Sequence, residues 1–228
     1  MSLKSYIFPE VCSLCKENKS FDESYICKSC LNELERTPEN SCQLCSSPID
    51  TFLKLCHQCI ENPRPWQKGK APLLLKGQSR EIIHKFKYNS QIILSRYLVQ
   101  AMVEKIHQTT IRELSCVTPV PMHWFKKMKR GFNQAELLAE GISKALDKPH
   151  LPLLKRKMQK SVQALKSRSQ RKENISHIFE INEKQKVPEG TILLVDDVLT
   201  TGATLTACSK VLLENGAREI YVLTAARG

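Results

Sequence analysis

The stretch ILLVDDVLTTGAT, residues Ile192–Thr204, joins four apolar residues, two adjacent acids and a Thr/Gly-rich turn. The apolar run Ile192–Val195, bounded by Gly190 and Asp196, predicts a short parallel strand buried on both faces. Beyond the turn, Leu205, Cys208, Val211 and Leu212 recur at helical spacing and Asn215-Gly216 supplies a stop, which predicts an amphipathic helix over Ala203–Asn215. A second apolar run, Ile220–Leu223, closes a βαβ unit.

Such a unit aims the backbone N–H groups of Thr200–Thr204 at the space above the strand, where the helix dipole favours phosphate. Gly202 permits close approach, and Thr200, Thr201 and Thr204 add hydroxyl donors. Asp196 and Asp197 accept hydrogen bonds only, which suits ribose hydroxyls or the shell of a Mg2+ ion. A Walker A loop is excluded, because it needs a Lys after its second Gly and a longer spacer. The plain alternative is a strand–turn–helix with a Thr cap and an acidic surface tip.

On these residues, VDDVLTTGAT (Val195–Thr204) resembles the signature with which type I phosphoribosyltransferases bind phosphoribosyl pyrophosphate (PRPP). The resemblance implies that Asp196 and Asp197 contact the ribose 2- and 3-hydroxyls. It implies further that Thr200, Thr201, Gly202, Ala203 and Thr204 hold the 5-phosphate.

The N-terminal quarter carries four Cys-x-x-Cys pairs: Cys12/Cys15, Cys27/Cys30, Cys42/Cys45 and Cys56/Cys59. The spacing of the first two pairs nearly repeats in the second two, so the segment is an internal duplication. Each unit offers the four thiolates of a closed tetrahedral structural zinc site, and two ions are expected. A redox pair or a disulfide framework is the alternative; Met1–Val11 lacks the long apolar core of a signal peptide, which favours a reducing cytoplasm and metal. Consecutive pairs sharing an ion would make two ribbons, alternating pairs a cross-braced module, and the consecutive arrangement is preferred. His57 is read as a bystander beside eight cysteines, and Cys116 and Cys208 as buried packing residues.

The net charge of +12 is concentrated in mid-chain: residues 122–172 hold 14 basic and 3 acidic side chains, whereas residues 1–60 hold 6 and 8. Lys126, Lys127, Lys129 and Arg130, with the basic groups from Lys155 to Lys172, suit a polyanion such as nucleic acid, or else form a solvated lysine-rich loop. CVTPVPM (Cys116–Met122) reads as a strand that stops at its prolines, followed by a polar loop. Arg130, Gly131, Asn133 and Gln134 then precede a helix marked by Leu137, Leu138, Ile142, Ala145 and Leu146. Either these groups meet pyrophosphate or a base edge, or Asn133 merely caps the helix and Gly131 makes the turn. Helix-like spacing also covers Glu81–Phe86 and Ile92–Ile106. Lys87 and Tyr88, with Gly77 and Arg80, form a basic-aromatic group that either stacks on or pairs with a nucleotide or, the preferred reading, has Tyr88 packed and Lys87 solvated; Trp66 is assigned to burial against the cysteine module and Trp124 to stacking.

The Cys pairs, the PVP strand end, the RGFNQ loop, Gln163–Asn174 with Arg168 and Arg171, and VDDVLTTGAT together resemble the ComF family, nearest its ComFC branch. That resemblance implies an α/β fold: a type I phosphoribosyltransferase-like, parallel-sheet Rossmann-like domain behind a small zinc-ribbon-like module. The expected organisation is a zinc module over 1–61, a Pro-rich linker over 62–72 and the larger domain over 73–228. No apolar run is long enough to span a bilayer, so a soluble, cytoplasmic protein without membrane insertion is expected. The resemblance implies handling of single-stranded DNA in natural transformation, with a pocket for PRPP or a related phosphoribosyl ligand with Mg2+. The alternative is active transfer of phosphoribose to an unidentified acceptor with release of pyrophosphate. A third role has the zinc module dock a helicase or DNA-uptake partner.

Overall fold

The computed structural model describes residues 11–17, 25–50, 52–88, 91–108, 113–157 and 178–228. In chain order these form helices α1 (Lys28–Asn32) and α2 (His57–Glu61), strands β1 (Lys68–Lys70) and β2 (Leu73–Leu74), helices α3 (Gly77–Tyr88) and α4 (Leu94–His107), and strand β3 (Leu114–Pro119). Helices α5 (Trp124–Arg130) and α6 (Gln134–Leu146), strands β4 (Leu154–Arg156), β5 (Phe179–Ile181) and β6 (Thr191–Leu199), helix α7 (Ala203–Glu214) and strand β7 (Glu219–Arg227) follow. The main sheet runs β1–β7–β6–β3 with β2 also on β7, and every pairing in it is parallel. The α/β, parallel-sheet fold expected from the sequence is therefore present. A separate antiparallel pair, β4–β5, lies beside it.

The apolar run in β6 is continuous because the sheet is covered on both sides. Leu193 and Val195 join Tyr221, Leu223 and Val117 on the face packed by α3, α4 and α6. Ile192 and Leu194, with Ile220, Val222 and Cys116, face α7 and the β4–β5 pair. Cys116 and Cys208 are fully buried, as expected of packing residues. The acids lie within the strand rather than after it: β6 continues to Leu199 because β7 is equally long and pairs along it as far as Leu199↔Arg227.

Residues 62–72 do not act as a bare linker. They contain Trp66, which is 2 % exposed, and edge strand β1, which pairs with β7 over Lys68↔Tyr221 to Lys70↔Leu223. Gly69 lies so close to the cysteine module that a Cβ there would collide with the Leu44 carbonyl. The polar loop expected after β3 contains α5, started by the His123 side chain accepting from Phe125 N–H and ended by Gly131 at φ 82°.

The two cysteine units take opposite faces of the sheet. Cys12, Cys27 and Cys30 belong to the cluster of α3, α4 and α6, whereas Cys42, Cys45, Cys59 and Trp66 belong to that of α7. Each unit shares a core with the larger fold, which supplies apolar burial that so small a segment lacks alone.

Candidate functional site

Cys12, Cys15, Cys27 and Cys30 form one tetrad and Cys42, Cys45, Cys56 and Cys59 the other, with the ligand atoms of each within 4.8 Å of one another. Consecutive pairs thus share a site, the preferred alternative. A tetrahedral Zn–S bond of about 2.3 Å implies S···S edges of about 3.8 Å; Cys12–Cys30 and Cys15–Cys27 are 3.9 Å apart and Cys45–Cys56 3.5 Å. The donor set and spacing fit structural zinc. Hydrogen bonding from Cys42 holds the Cys45 thiol down while Cys42 itself is pushed up, and in the first set, against burial, backbone hydrogen bonds likewise lower Cys12. His57 stands outside, paired with Glu61 at 3.3 Å and largely exposed.

At the C-terminal end of β6 the alternation of the strand separates the two acids. Asp197 follows Leu193 and Val195 toward α3 and pairs with Lys87 Nζ at 2.9 Å. Lys87 is therefore an ion-pair partner in the site, contrary to the expectation that it is solvated. Asp196 follows Ile192 and Leu194 toward α7, and accepts from the Asp197 backbone N–H at 2.8 Å. Burial, reinforced by the Asp197 charge, pushes Asp196 up to about 8.

The loop beyond the strand has an ordered orientation. Arg227 Nη1 donates to the carbonyls of Leu199 and Thr200 at 3.0 and 2.9 Å, and Arg64 Nη1 donates to that of Thr201 at 2.8 Å. In a planar trans peptide the N–H points opposite to the carbonyl, so the amides of Thr200, Thr201 and Gly202 all face away from the two arginines. None of the three amides donates to another described residue. Gly202 caps the twelve-residue α7 at φ 81°. Thr200, Thr201 and Thr204 are exposed there and Ala203 is half-buried. Successive free N–H groups at a helix N-terminus form an anion-binding concavity, beside acids able to accept from hydroxyls.

The last turn of α3 links this strand tip to α5. Lys87 holds Asp197, while the adjacent Tyr88 lies under the Arg130 guanidinium, 4.6 Å from ring centroid to Cζ, and accepts from Arg130 Nη2 at 2.9 Å. Tyr88 is exposed, not packed. Arg130 also donates to Gln134 Oε1 at 3.2 Å, and Gln134 Nε2 is buried without a partner among the described residues. Asn133 is occupied by the fold: Oδ1 accepts from Ala135 N–H and Nδ2 donates to the Val120 carbonyl. Of the two readings of this residue, the structure places the cap, and it places Gly131 in the turn. On α5 itself Trp124, Phe125 and Met128 are exposed among Lys126, Lys127 and Lys129. Arg168 and Arg171, within Gln163–Asn174, lie outside the described residues.

Arg64 and Arg227 were not singled out by sequence reasoning. Arg64 lies in a Pro-flanked stretch resembling a linker and Arg227 ends an apolar strand, so neither sits in a motif; the length of the β6–β7 pairing brings Arg227 to the loop, and Arg64 reaches it from over the Trp66 ring.

Residues 3–68 match the double zinc ribbon domain model and residues 133–228 the phosphoribosyl transferase domain model. Competence protein F of Haemophilus influenzae is 30 % identical, over 95 % of this chain and 96 % of that protein. The DNA utilization protein YhgH of Escherichia coli K12 is 28 % identical over 94 % and 95 %, and competence protein ComFC of Bacillus subtilis 28 % identical over 90 % of each.

Proposed function

The chain belongs to the ComF family of competence protein F and ComFC, and on that premise we propose that it handles single-stranded DNA in the cytoplasm during natural transformation. Its phosphoribosyl pocket, on this reading, takes PRPP or a related ligand with Mg2+. The carrying observation is the row of outward amides at Thr200, Thr201 and Gly202 next to Asp196 and Asp197. The amides would hold the 5-phosphate and the acids the ribose hydroxyls. Asp196 and Asp197 are the oxygen donors that would hold Mg2+, which supplies charge neutralisation for the pyrophosphate. Lys87 and Arg130 bring cationic groups to the same end of the sheet.

Calorimetric titration of the zinc-loaded protein with Mg2+ and PRPP should give saturable binding, lost in the Asp196→Ala/Asp197→Ala variant. No binding to either protein refutes the ligand assignment. The DNA assignment is supported by the exposed aromatic and basic side chains of α5, which suit base stacking combined with phosphate neutralisation. Replacing Lys126, Lys127 and Lys129 by Gln should weaken single-stranded DNA binding at low salt. It should also reduce the slope of log affinity against log salt by about 1 for each phosphate that is no longer neutralised. Unchanged affinity and slope would remove that assignment.

A second reading, active phosphoribosyl transfer, is favoured by Asp196, which burial and the Asp197 charge push up to about 8, so that it can exchange a proton near neutrality. Pyrophosphate release that requires a specific acceptor would establish it.

A further inference from the structure

The second cysteine tetrad lies directly behind the phosphate loop. Arg227 spans the two: Nε donates to Ser47 Oγ at 2.8 Å and Nη2 to Gln58 Oε1 at 3.1 Å, while Nη1 holds the carbonyls of Leu199 and Thr200. Ser47 Oγ lies 3.2 Å from Cys45 Sγ, and Gln58 lies between Cys56 and Cys59 in α2. Arg64 makes the second bridge. Its guanidinium bonds the Thr201 carbonyl and lies 5.4 Å from the Trp66 ring centroid, and Trp66 Nε1 donates to the Leu44 carbonyl between Cys42 and Cys45. A Cβ on Gly202 would come within 2.6 Å of Arg64 Nη1, so the glycine leaves room for the guanidinium beneath the loop. The bridges of the first unit reach α3 and β2 rather than the loop carbonyls: Lys85 Nζ donates to the carbonyls of Ser13 and Leu14, and Glu35 accepts from Ser79 and, at its carbonyl, from Leu74 N–H.

We propose that the second tetrad, once metal-bound, is the support that orients the phosphate loop, with Arg64 and Arg227 as its positioning residues. Anion binding at Thr200–Thr204 therefore depends on the metal in this tetrad far more than on the metal in the first. The physical reason is directional. Three consecutive carbonyls are held toward the ribbon, which turns three N–H groups toward the ligand, and the anchors Ser47, Gln58 and Leu44 belong to turns whose shape the bound metal sets. The inference rests on the phosphoribosyl reading of the loop. By linkage the coupling is reciprocal, so ligand must tighten metal binding at the second tetrad by the factor by which that metal strengthens ligand binding, and slower metal loss is the expected kinetic consequence.

The test is a chelator challenge of the full-length, two-zinc protein, following zinc release with a chromogenic dye with and without Mg2+ and PRPP. Amide hydrogen exchange across Thr200–Thr204 is followed in parallel. The expected result is two release phases, only one of them slowed by ligand, by about tenfold, toward the lower end of the usual range of coupling. That phase should disappear in Cys42→Ser/Cys45→Ser and remain in Cys12→Ser/Cys15→Ser. Arg227→Lys and Arg64→Lys keep all eight cysteines; they should retain both zinc ions yet bind ligand about tenfold more weakly, with faster loop exchange before ligand is added. Equal protection of both phases, or arginine variants that bind and exchange as the parent does, overturns the proposal. If PRPP does not bind the parent, the phosphoribosyl reading fails instead. The ribbon-to-loop support is then judged by exchange alone: loop amides that stay equally protected after loss of the second zinc overturn it.

Discussion

The two cysteine units are near-copies in sequence, yet they do different work because the sheet between them has two sides. The first packs with α3, α4 and α6, and touches the larger fold through Lys85. The second packs with α7 and touches the loop above β6 through Arg64 and Arg227. The acids repeat this division one residue apart. Asp197, on the first side, is neutralised by Lys87, and Asp196, on the second, is raised by burial. On the support proposed above, the duplicated cysteine module supplies stability on one face and, on the other, both stability and orientation of the loop above β6.

The strongest way to break this comparison is to damage each ribbon at its buried apolar residue. Trp66→Ala removes a side chain 2 % exposed, and Ile26→Ala one that is fully buried. Each should lower unfolding free energy, by about 3–5 and about 2–5 kcal/mol respectively, in denaturant titration of the zinc-loaded protein. Phosphate-ligand affinity should fall only for Trp66→Ala; equal loss in both variants would erase the functional difference between the faces.

A milder change sharpens the same contrast. Lys85→Met leaves the Ser13 and Leu14 carbonyls without their buried donor and should cost about 1–3 kcal/mol. Ligand binding should be unaltered, because the phosphate loop is reached from the other face. A parallel loss of affinity in calorimetry would mean that the first ribbon also acts on the site, through Lys87.

The last contrast concerns the acids. Asp197, Lys87 and Cys208 are the titratable groups that face Asp196. Its folded-state pKa of about 8 lies above that of the unfolded chain, so between the ordinary carboxylate range and pH 8 the folded state binds the extra proton. Stability contributed by this residue is therefore present at low pH and lost as pH rises toward 8. Ligand binding that needs both carboxylates ionised should strengthen over the same interval, approaching tenfold per pH unit well below the pKa, with a proton released on binding. In Asp196→Asn both slopes should flatten. A parent protein whose affinity is level between pH 6 and 8 would show that Asp196 is already ionised and that the acids do not differ.

Much of the molecule was legible because its chemistry is local. Thiol spacing within each Cys-x-x-Cys unit, the Thr/Gly turn into α7 and the strand–acid–loop order in Ile192–Thr204 depend on residues near one another in sequence. The helices over Gln134–Leu146 and Ala203–Glu214 were likewise visible from their apolar spacing, within a residue or so at their ends. The tertiary structure alone decided that Pro-rich residues 62–72 give a sheet strand, that the ribbons straddle the sheet, and that Asp196 and Asp197 occupy different electrostatic environments. It also brought Arg64, Lys87 and Arg227 to the site. Parallel pairing joins segments more than a hundred residues apart, and strand alternation assigns each neighbour to a face. Residue spacing along the chain encodes which groups can turn, cap or ligate, whereas which of them meet is settled only when the sheet forms.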